Sequence, residues 1–530
     1  MSMGRLPVYV VLGLGLLPVA ASATNVIVII ADDIGADKIA ATMTTSEIAA
    51  AHYLPATPTL DDLGTAGLTF THAWAAPICS PSRATFLTGD YPHTNGVAKN
   101  VAPGRSSYDL TTAETTLAGE LAAAGWDTGA FGKWHLGNGG PGGTYTWTPS
   151  TDCPTTSTYA DSMNPLLHGF NYFDGDISQN DDSYTGWWEG LSSGDGTTQV
   201  CVNHSFADEV VVDTALDWIA PHYDAASATW DPYFAYVAIK TAHFAADGPG
   251  AGYNEVDIPT SCGVTEACLI DGITNNCGDG NADGVDDEQL MILQAMIECM
   301  DGQIEDLLLG IDAMGPGALD DTLIVFWGDN GTSDAGVEYP FNQTATYGKG
   351  TMYETGLRVP LYIAEGSAWL DVHDGRRPST TLVTRPGRAV TKDIMVTDLY
   401  DTLSELVGVT PTGTTDGESF AACFASTAAD CGFRTSRVQY SELYNLGADG
   451  TTLISGSAAY KRSNFKLQAT YVPASNCLQS SLYDLNGDPY ELTDIQPTYV
   501  ATTTSMRRTL ERLGVGWYPR SARGNVVWCR

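Results

Sequence analysis

Short, strongly apolar runs alternate with longer amphipathic stretches along this chain, and the alternation constrains the fold more than any other feature. The apolar runs, which predict buried strands, cover residues 26–30, 128–131, 233–239 and 323–327. The amphipathic stretches between them, which predict helices, cover residues 115–124, 207–219 and 289–309. Because strands alternate with helices, we expect an α/β fold in which a large, mainly parallel central sheet is flanked by helices.

Polar side chains that could bind ligands follow each of these predicted strands. They are, in chain order, Asp32 and Asp33, Lys133 and His135, Lys240 and His243, and Asp329 and Asn330. In open α/β sheets a ligand lies beyond the carboxyl ends of the strands. The four segments therefore predict one shared functional site at that edge of the sheet.

The pattern of the sequence changes near residue 430. Short alternating runs such as 465–471 follow, and the amphipathic stretch 502–513 comes near the end. We therefore expect a large domain over residues 24–430 and a smaller C-terminal α+β domain, with an antiparallel sheet and a terminal helix, over residues 431–530. Three stretches rich in Gly, Ser and Asp are interpreted as insertions near the edge of the site; they cover residues 138–164, 174–203 and 245–288.

The N-terminus has the pattern of an export signal. Arg5 precedes an apolar run over residues 6–20, and Ala21-Ser22-Ala23 matches a cleavage site of the A-x-A type. We expect residues 1–23 to be a signal peptide and the mature protein to be secreted or periplasmic. The apolar run is too short for a comfortable membrane span, so no stable membrane insertion is expected.

The chain is strongly acidic, with 63 Asp and Glu against 25 Lys and Arg and a formal net charge of −38. Such a charge opposes binding to nucleic acid and to anionic lipid, so we expect neither as a partner. An anionic substrate would need a local cationic pocket against this background. The few Lys and Arg near the predicted site are informative for that reason.

The chain has 11 cysteines, an odd number. Export would place them in an oxidising compartment, in which cysteines pair. Setting Cys79 aside leaves ten, which can form five disulfides, and the sequence leaves their connectivity open.

The segment around Cys79 carries the most informative motif. It reads Cys79-Ser80-Pro81-Ser82-Arg83-Ala84 and is followed by Leu87-Thr88-Gly89. Here the sequence resembles the type I sulfatases of the alkaline-phosphatase-like superfamily, whose signature is C-x-P-x-R. Further segments resemble motifs of that family in the same order along the chain, at residues 132–137, 168–173, 329–331, 348–360 and 481–491.

This resemblance implies an alkaline-phosphatase-like fold and a sulfuric ester hydrolase whose nucleophile is made from Cys79. In the family a maturation enzyme oxidises this cysteine to formylglycine, which would also remove Cys79 from the disulfide count. A hydrated aldehyde suits the chemistry because one carbon carries two hydroxyls. One can attack sulfur, and deprotonation of the other can expel sulfate, whereas a serine or cysteine would remain a stable sulfo-enzyme.

The acidic residues at the strand ends predict a metal site. Asp32, Asp33, Asp329 and Asn330 offer hard oxygen ligands, which favour Ca²⁺ or Mg²⁺ over softer metals. The resemblance places Ca²⁺ first and adds the modified Cys79 to the ligands. The cation would hold a sulfate oxygen and the diol.

Roles for the cationic and basic residues follow from the same resemblance. Arg83 would hold the diol and the metal-bound carboxylates, and Lys133 and Lys349 would neutralise sulfate oxygens. His135 would deprotonate the second hydroxyl. His243 would bind sulfate or protonate the leaving oxygen, with Lys349 as a second source of that proton.

Several alternatives stay open. A phosphonate monoester or phosphodiester hydrolase of the same superfamily would use a similar metal and nucleophile. A non-catalytic protein that binds anions or glycans would require losses among the motif residues, and none is lost. The substrate is expected to be a small-molecule or glycan sulfate ester, but the sequence does not distinguish aryl, carbohydrate and steroid esters.

Two local features have no settled role. Lys240 matches no motif of the family and is expected, by default, to be a solvated surface residue. The acidic stretch 279–284 resembles the start of a Ca²⁺ loop, but Leu290 stands where an EF-hand needs Glu. A second Ca²⁺ in that loop is therefore left open.

Overall fold

A computed structural model of the chain describes most of its residues. The described residues are 25–51, 53–101, 108–137, 165–177, 206–224, 226–227, 229–243, 289–338, 347–375, 382–431, 438–447, 452–513 and 526–529, together with the backbone of 157–158, 186–190, 198–203 and 287–288. The predicted signal peptide, the acidic stretch 279–284 and most of the three predicted insertions lie outside these residues.

The secondary structure alternates between strands and helices over the first 400 residues. The strands are β1 (Asn25–Ala31), β2 (Leu68–Phe70), β3 (Ala73–Trp74), β4 (Asp127–Gly132), β5 (Ser157–Thr158), β6 (Tyr172–Asp174), β7 (Gly186–Gly190), β8 (Thr198–Asn203), β9 (Tyr223–Asp224), β10 (Thr229–Trp230), β11 (Tyr233–Ile239), β12 (Thr322–Gly328), β13 (Arg358–Val359), β14 (Leu361–Glu365), β15 (Arg388–Val390), β16 (Ile394–Met395), β17 (Gln439–Leu446), β18 (Leu453–Arg462), β19 (Phe465–Val472) and β20 (Cys477–Asp484).

The α-helices are distributed through both parts of the chain. They are α1 (Thr45–Ala50), α2 (Pro58–Ala66), α3 (Cys79–Thr88), α4 (Pro92–Asn95), α5 (Leu117–Ala123), α6 (Ala207–Ile219), α7 (Asp287–Asp312), α8 (Glu354–Leu357), α9 (Gly366–Asp374), α10 (Asp398–Leu406), α11 (Ala422–Ala425) and α12 (Val500–Leu513). Short 3₁₀ turns lie at Ala36–Lys38, Ala40–Thr42, Pro165–Leu167, Ala220–His222, Asp334–Gly336 and Pro473–Ser475.

The central sheet has eight strands within the described part of the chain, in the order β15-β2-β14-β12-β1-β11-β4-β6. The run β12-β1-β11-β4-β6 is parallel throughout. Strand β14 pairs antiparallel with both β12 and β2, and β2 pairs parallel with β15. The predicted mainly parallel sheet is therefore confirmed, and the four predicted strands correspond to β1, β4, β11 and β12.

Strand β1 shows why this sheet is buried on both faces. Every residue of its sequence NVIVIIA is buried. Val26, Val28 and Ile30 belong to one hydrophobic core, which also contains residues of α3 and α10. Ile27 and Ile29 belong to a second core with residues of α6 and α7. Because side chains alternate along a strand, a continuous apolar run is what a sheet covered on both faces requires.

The C-terminal part forms a separate four-stranded antiparallel sheet, β17-β18-β19-β20, accompanied by α12. This confirms the expected smaller α+β unit with a terminal helix. A third hydrophobic core combines residues of this sheet and α12 with Trp74 and Met352 of the larger unit. The two units therefore pack against each other through shared apolar side chains. The expected boundary at residue 431 stays a prediction.

Among the described residues, all cysteines except Cys79 are disulfide-bonded, as expected for an oxidising compartment. Disulfides join Cys423 to Cys431 and Cys477 to Cys529, and Cys299 is also disulfide-bonded. Among the described residues, Cys79 is the free cysteine, and it is buried. In the same part of the chain, no helix combines the length and the apolar character needed to cross a membrane.

Candidate active site

The carboxyl ends of β1 and β12 bring three carboxylates together. Asp32 and Asp33 follow β1, Asp329 and Asn330 follow β12, and all four side chains are fully buried. The backbone N–H of Asp33 donates to Asp329 Oδ1 at 3.1 Å. Asp33 has a left-handed backbone with φ of 60°, a conformation that non-glycine residues adopt uncommonly.

Cys79 completes this cluster. One ligand atom from each of Asp32, Asp33, Asp329 and Cys79 can be chosen so that all lie within 4.8 Å of one another. Cys79 Sγ lies 3.5 Å from Asp32 Oδ1 and 3.9 Å from Asp33 Oδ1. Burial raises the pKa of the Cys79 thiol, and the negative charge of Asp329 raises it further. The residue at this position is therefore a poor thiolate nucleophile as it stands.

Helix α3 explains how the C-x-P-x-R motif presents its two functional residues. The helix begins at Cys79, so Pro81 lies in its first turn, where a missing backbone N–H is tolerated. Residues four apart lie on the same face of a helix. Cys79 and Arg83 therefore project toward the same edge of the sheet.

Arg83 is fully buried and binds several parts of the site. Its Nε and Nη2 donate to Asp329 Oδ2 at 3.0 and 2.9 Å. Its Nη1 donates to the carbonyl of Lys133 at 2.8 Å and to the hydroxyl of Tyr236 at 3.4 Å. This arginine therefore fixes the end of β12 relative to the end of β4.

Two lysines neutralise the other carboxylates. Lys133 Nζ donates to Asp32 Oδ2, and Lys349 Nζ lies 2.6 Å from Asp33 Oδ1 and 2.8 Å from Asp33 Oδ2. Burial, the largest single effect, lowers the pKa of both ammonium groups, but the negative groups around them together outweigh it, with Asp32 the largest of these at Lys133 and Asp33 at Lys349, so both pKa values are raised. Both lysines are therefore charged at neutral pH.

Gly132 allows Lys133 to leave β4 at this place. The glycine has φ of 81°, and a Cβ atom there would lie 2.2 Å from the carbonyl oxygen of Ala238. Only glycine accommodates both the left-handed backbone and this close approach. After the tight turn at the end of β4, the backbone N–H of Lys133 donates to the carbonyl of Ala238 on β11, and that of His135 donates to the carbonyl of Ile177.

His135 presents a nitrogen with a free lone pair. Its Nε2 lies 3.2 Å from the carbonyl oxygen of Val101, and because a carbonyl can only accept, Nε2 carries the hydrogen. The Nδ1 atom is buried and has no hydrogen-bond partner among the described residues. Burial, together with Lys133 and Arg83, lowers the pKa of His135 well below its ordinary value. The ring is therefore neutral and able to accept a proton at Nδ1.

His243 and Lys349 are the site side chains that solvent reaches best. Their side chains are 11% and 18% exposed, whereas that of Lys133 is 2% exposed and Asp32, Asp33, Arg83 and Asp329 are fully buried. His243 Nε2 lies 4.0 Å from Asp33 Oδ2. Burial and then Lys349 lower the pKa of His243 to about 4. The most accessible side chains among these site residues are therefore a neutral histidine and a charged lysine.

The charges of the site are balanced before any ligand binds. We call the carboxylates of Asp32, Asp33 and Asp329 with the cations of Arg83, Lys133 and Lys349 the site cluster, three negative and three positive groups. A bound divalent cation would make this cluster net positive. In a chain of net charge −38, such a local excess of positive charge favours an anionic ligand.

The residues fit a bound cation in two further respects. The Asn330 amide nitrogen donates to Asp33 Oδ1 at 2.8 Å and to the carbonyl of Gly331 at 2.9 Å, while its buried Oδ1 has no hydrogen-bond partner among the described residues. Burial and the charge of Asp32 raise the pKa of Asp329 to about 6. An unpaired amide oxygen and a destabilised carboxylate are both satisfied by a hard cation.

The sequence-based prediction of the site did not include two residues that hold it in place. Tyr236 lies on β11 and contacts Arg83, but a tyrosine in an apolar run is not distinguishable from a core residue. Asp208, near the start of α6, accepts from the backbone N–H of Lys240 at 2.8 Å and from the hydroxyl of Thr241. It thereby holds the segment that leads to His243.

The expectation that Lys240 is solvated was wrong. The residue is 4% exposed, and its positive charge lies near the buried carboxylate of Asp208. Apolar strand β11 ends directly before Lys240, so the lysine is still covered by the same layers as the strand. A buried lysine is stable only when a carboxylate compensates its charge.

Comparison with known proteins identifies the family. The family model Sulfatase matches residues 24–409, which is more than half of the chain. The chain belongs to the sulfatase family. Sulfatases generally use a metal ion and a formylglycine, and the buried acidic cluster of this family member could bind a metal ion.

Individual sulfatases share parts of the sequence and the whole fold. Human steryl-sulfatase (Homo sapiens) is 35% identical over 162 residues, which is 29% of this chain and 24% of that protein. The aligned part thus spans about a quarter of the length of the first curated relatives. Ps i-CgsB, solved in complex with k-i-k-neocarrahexaose, has a TM-score of 0.64 at 20% identity and covers 95% of this chain and 96% of its own.

A second solved structure carries a sulfated sugar. BT4656, in complex with its substrate D-glucosamine-2-N,6-O-disulfate, has a TM-score of 0.61 at 18% identity and covers 92% of this chain and 97% of its own. At such low identities these structures establish the fold alone, which is the expected alkaline-phosphatase-like fold.

Proposed function

We propose that this protein hydrolyses sulfate esters with a nucleophile formed from Cys79. The observation that carries the proposal is the convergence of Cys79, three carboxylates and three cations in one buried cluster at the edge of the sheet. Membership of the sulfatase family supports it. The competing phosphonate or phosphodiester hydrolase gains no support from the structure or the comparisons.

We further propose that the metal is Ca²⁺, with Mg²⁺ as the alternative. Asp32, Asp33, Asp329 and Asn330 would hold it, and the modified residue 79 would be a further ligand. The bound cation would polarise a sulfate oxygen and lower the pKa of a hydroxyl on residue 79. Carboxylate and amide oxygens support a hard cation over Zn²⁺.

The nucleophile would be a hydrated formylglycine. A maturation enzyme, using its own oxidant, would replace the CH₂–SH group of Cys79 by an aldehyde, and water would add to give two hydroxyls. The fully buried position of Cys79 and the raised pKa of its thiol speak against direct attack by sulfur. Arg83, one turn along α3, would hold the diol and the carboxylate of Asp329.

Sulfuryl transfer would come first. One hydroxyl of residue 79 would release its proton to water and attack sulfur, the bond between sulfur and the ester oxygen would break, and the ester oxygen would take up a proton and leave as the alcohol. Lys133 and Lys349, both charged, stabilise the sulfate oxygens. Because His243 is neutral at pH 7, it is better suited to donate a hydrogen bond to sulfate, and Lys349 is the better proton source for the leaving oxygen.

Release of sulfate would follow. The Nδ1 atom of His135 takes the proton of the second hydroxyl of residue 79. The aldehyde reforms as the bond between its carbon and the sulfate oxygen breaks, and sulfate leaves. Water then hydrates the aldehyde again. The hydrogen bond from His135 Nε2 to the carbonyl of Val101 keeps Nδ1 available as the base.

The substrate is proposed to be a small-molecule or glycan sulfate ester. Two related folds were solved with carbohydrates bound, which supports a glycan. We also propose that residues 1–23 direct export to a secreted or periplasmic location, and that the catalytic domain and the C-terminal subdomain divide near residue 431.

The experiment that tests this function compares two substrates with the same leaving group. Initial rates are measured with 4-nitrophenyl sulfate and with 4-nitrophenyl phenylphosphonate, and Cys79→Ala is the control for background hydrolysis. We expect the higher kcat/KM with the sulfate and no turnover of it by the Cys79→Ala variant. A higher kcat/KM with the phosphonate would contradict the proposal and favour the alternative.

A further inference from the structure

A second buried cluster of charges lies where the C-terminal sheet meets the large unit. Lys466 of β19 is fully buried, and its Nζ lies 3.0 Å from Glu354 Oε1 and 2.9 Å from Glu491 Oε1. The same ammonium group lies 4.8 Å from the ring centroid of Trp74. We call Glu354, Glu491, Lys466, Gln468 and Trp74 the Glu354 cluster.

This cluster binds the segment that carries Lys349. Glu491 Oε2 accepts from the backbone N–H of Glu354 at 2.7 Å. Gln468 Nε2 donates to Glu491 Oε1 at 2.8 Å and to the carbonyl of Met352 at 3.1 Å. Three side chains of the C-terminal unit therefore hold residues 352–354, three to five positions after Lys349.

The same cluster reaches the segment that leads to Cys79. Trp74 Nε1 donates to Glu354 Oε2 at 3.3 Å. The two segments are also joined through their backbones, because β3 pairs with β13 and Gly350 N–H donates to the carbonyl of Pro77 at 2.7 Å. The Glu354 cluster therefore lies at the base of both segments that carry Lys349 and Cys79.

Glu491 has an unusual backbone conformation for a glutamate. Its backbone is left-handed, with φ of 55°. Glycine or asparagine adopts this conformation more readily than glutamate. A glutamate that is 3% exposed and held there, with both carboxylate oxygens accepting hydrogen bonds, indicates that its side chain is needed.

We propose that Glu491 is a positioning residue for the reaction. It binds the backbone N–H of Glu354 directly and the carbonyl of Met352 through Gln468, and so holds the loop of Lys349 in place against the segment that carries Cys79. The inference rests on the proposed hydrolysis of sulfate esters and deepens it, because it assigns to the C-terminal unit a part in building the site.

The physical reason is the short reach of the interactions at the site. Lys349 Nζ lies 2.6 Å from Asp33 Oδ1, and charge-assisted hydrogen bonds of this length weaken quickly when their partners move apart. A catalytic group must stay within about 0.5 Å of its productive position. A displaced loop would therefore leave Lys349 present but misplaced.

A double-mutant cycle with 4-nitrophenyl sulfate tests the proposal. We expect Glu491→Gln to lower kcat/KM about tenfold in the otherwise native enzyme and less than about twofold in a Lys349→Met background, as coupled residues do. The loss should also be larger for aryl sulfates with less acidic phenols, because Lys349 acts on the leaving oxygen. An equal fold loss in both backgrounds would overturn the proposal.

The matched control is Glu442→Gln. Glu442 is a fully buried glutamate on β17 of the same sheet, and it contacts His93 and Tyr440. We expect this variant to keep its kcat/KM per folded molecule. The folded fraction of every variant is measured by thermal unfolding, so that a loss of folded protein is not read as a loss of positioning.

A readout without turnover separates this inference from the proposed function. The N–H groups of Lys349 and Gly350 donate to the carbonyls of Thr332 and Pro77, and their hydrogen exchange reports how firmly the loop is held. We expect faster exchange in Glu491→Gln and unchanged exchange in Glu442→Gln. Unchanged hydrogen exchange in both variants would overturn the positioning role of Glu491, even if the enzyme hydrolyses sulfate esters. A wild-type protein that does not hydrolyse sulfate esters would refute only the proposed function.

Discussion

The site cluster and the Glu354 cluster are both buried groups of charged side chains, but they differ in how completely their polar atoms are paired. In the Glu354 cluster, both oxygens of Glu354 and both oxygens of Glu491 accept from protein donors. At the site, the Oδ1 of Asn330 and the Nδ1 of His135 have no partner among the described residues. A fully paired network rigidifies a fold, whereas spare buried atoms indicate a place for ligands.

One carboxylate of each cluster, Glu354 and Asp329, shows a further contrast. Burial raises the pKa of both Glu354 and Asp329. At Glu354, the charges of Lys466, Lys461 and Arg358 outweigh burial and lower the pKa to about 2. At Asp329, the negative charge of Asp32 adds to burial, and the pKa rises to about 6 despite Arg83. The pairing of polar atoms therefore separates the two clusters: protein groups pair the carboxylates of the Glu354 cluster, whereas the site cluster keeps two buried polar atoms that could bind a ligand.

The largest effect is expected from breaking the site cluster at Asp329. Asp329→Ala should lower kcat/KM for an aryl sulfate by about 10³-fold or more, because charge stabilisation by a metal is worth several kcal/mol. It should also reduce the metal content of the purified protein, measured by plasma mass spectrometry. The control is Asp306→Ala, which removes an exposed aspartate of α7. Full activity of Asp329→Ala, or of metal-free wild type, would refute the metal site.

Breaking the Glu354 cluster should affect stability first. Lys466→Met leaves the buried carboxylates of Glu354 and Glu491 without their shared cation, and the free energy of unfolding should fall by about 3–5 kcal/mol. Urea unfolding measures it. Arg462→Met, on the same C-terminal sheet but exposed, should change stability by less than about 0.5 kcal/mol. Equal effects of the two substitutions would show that the buried network is not stabilising.

Removing one cation from the site should reduce catalysis. Lys133→Met should lower kcat/KM by about 10²–10³-fold, the loss seen when one donor to a developing oxyanion is removed. Steady-state kinetics with an aryl sulfate measures this loss, and the metal content should be unchanged. A Lys133→Met enzyme with native kcat/KM would exclude this lysine from sulfate stabilisation.

The smallest effect is expected at a pair of acids outside both clusters, Asp90 and Asp416. Burial and then the charge of Asp416 raise the pKa of the half-buried Asp90 to about 6. The folded state therefore holds this proton more tightly than the unfolded chain, and stability falls as pH rises from about 4 to about 6. Asp90→Asn should raise the melting temperature at pH 7 and leave it unchanged at pH 4. The same shift at both pH values would contradict this origin.

Much of the sheet was predictable because its central strands are buried on both faces. The apolar runs at β1, β4, β11 and β12 are continuous, and the residues after them are polar, so both the strands and the edge of the site follow from the sequence. The antiparallel direction of β14 did not follow. Its residues Leu361–Glu365 are all buried, and a buried strand has the same kind of sequence whether it pairs parallel or antiparallel with its neighbours.

The supporting residues were harder to predict for a different reason. Glu354 meets Lys466 and Glu491 across 112 and 137 positions of sequence, and no local pattern records such a contact. Lys240 looked like a surface residue because its compensating charge, Asp208, lies on a different element. Motifs predicted which residues gather at the site, and packing decided which residues hold them there.

The central claim is that Cys79 becomes the nucleophile, and mass spectrometry of the active protein tests it most directly. Trypsin should release the peptide from Ile39 to Arg83, which contains Cys79 as its cysteine. In fully active protein, we predict that this peptide is lighter than the thiol form by about 18 Da, the change expected when the side chain becomes an aldehyde that serves in covalent catalysis. Fully active protein that contains only the thiol at residue 79 would contradict the account.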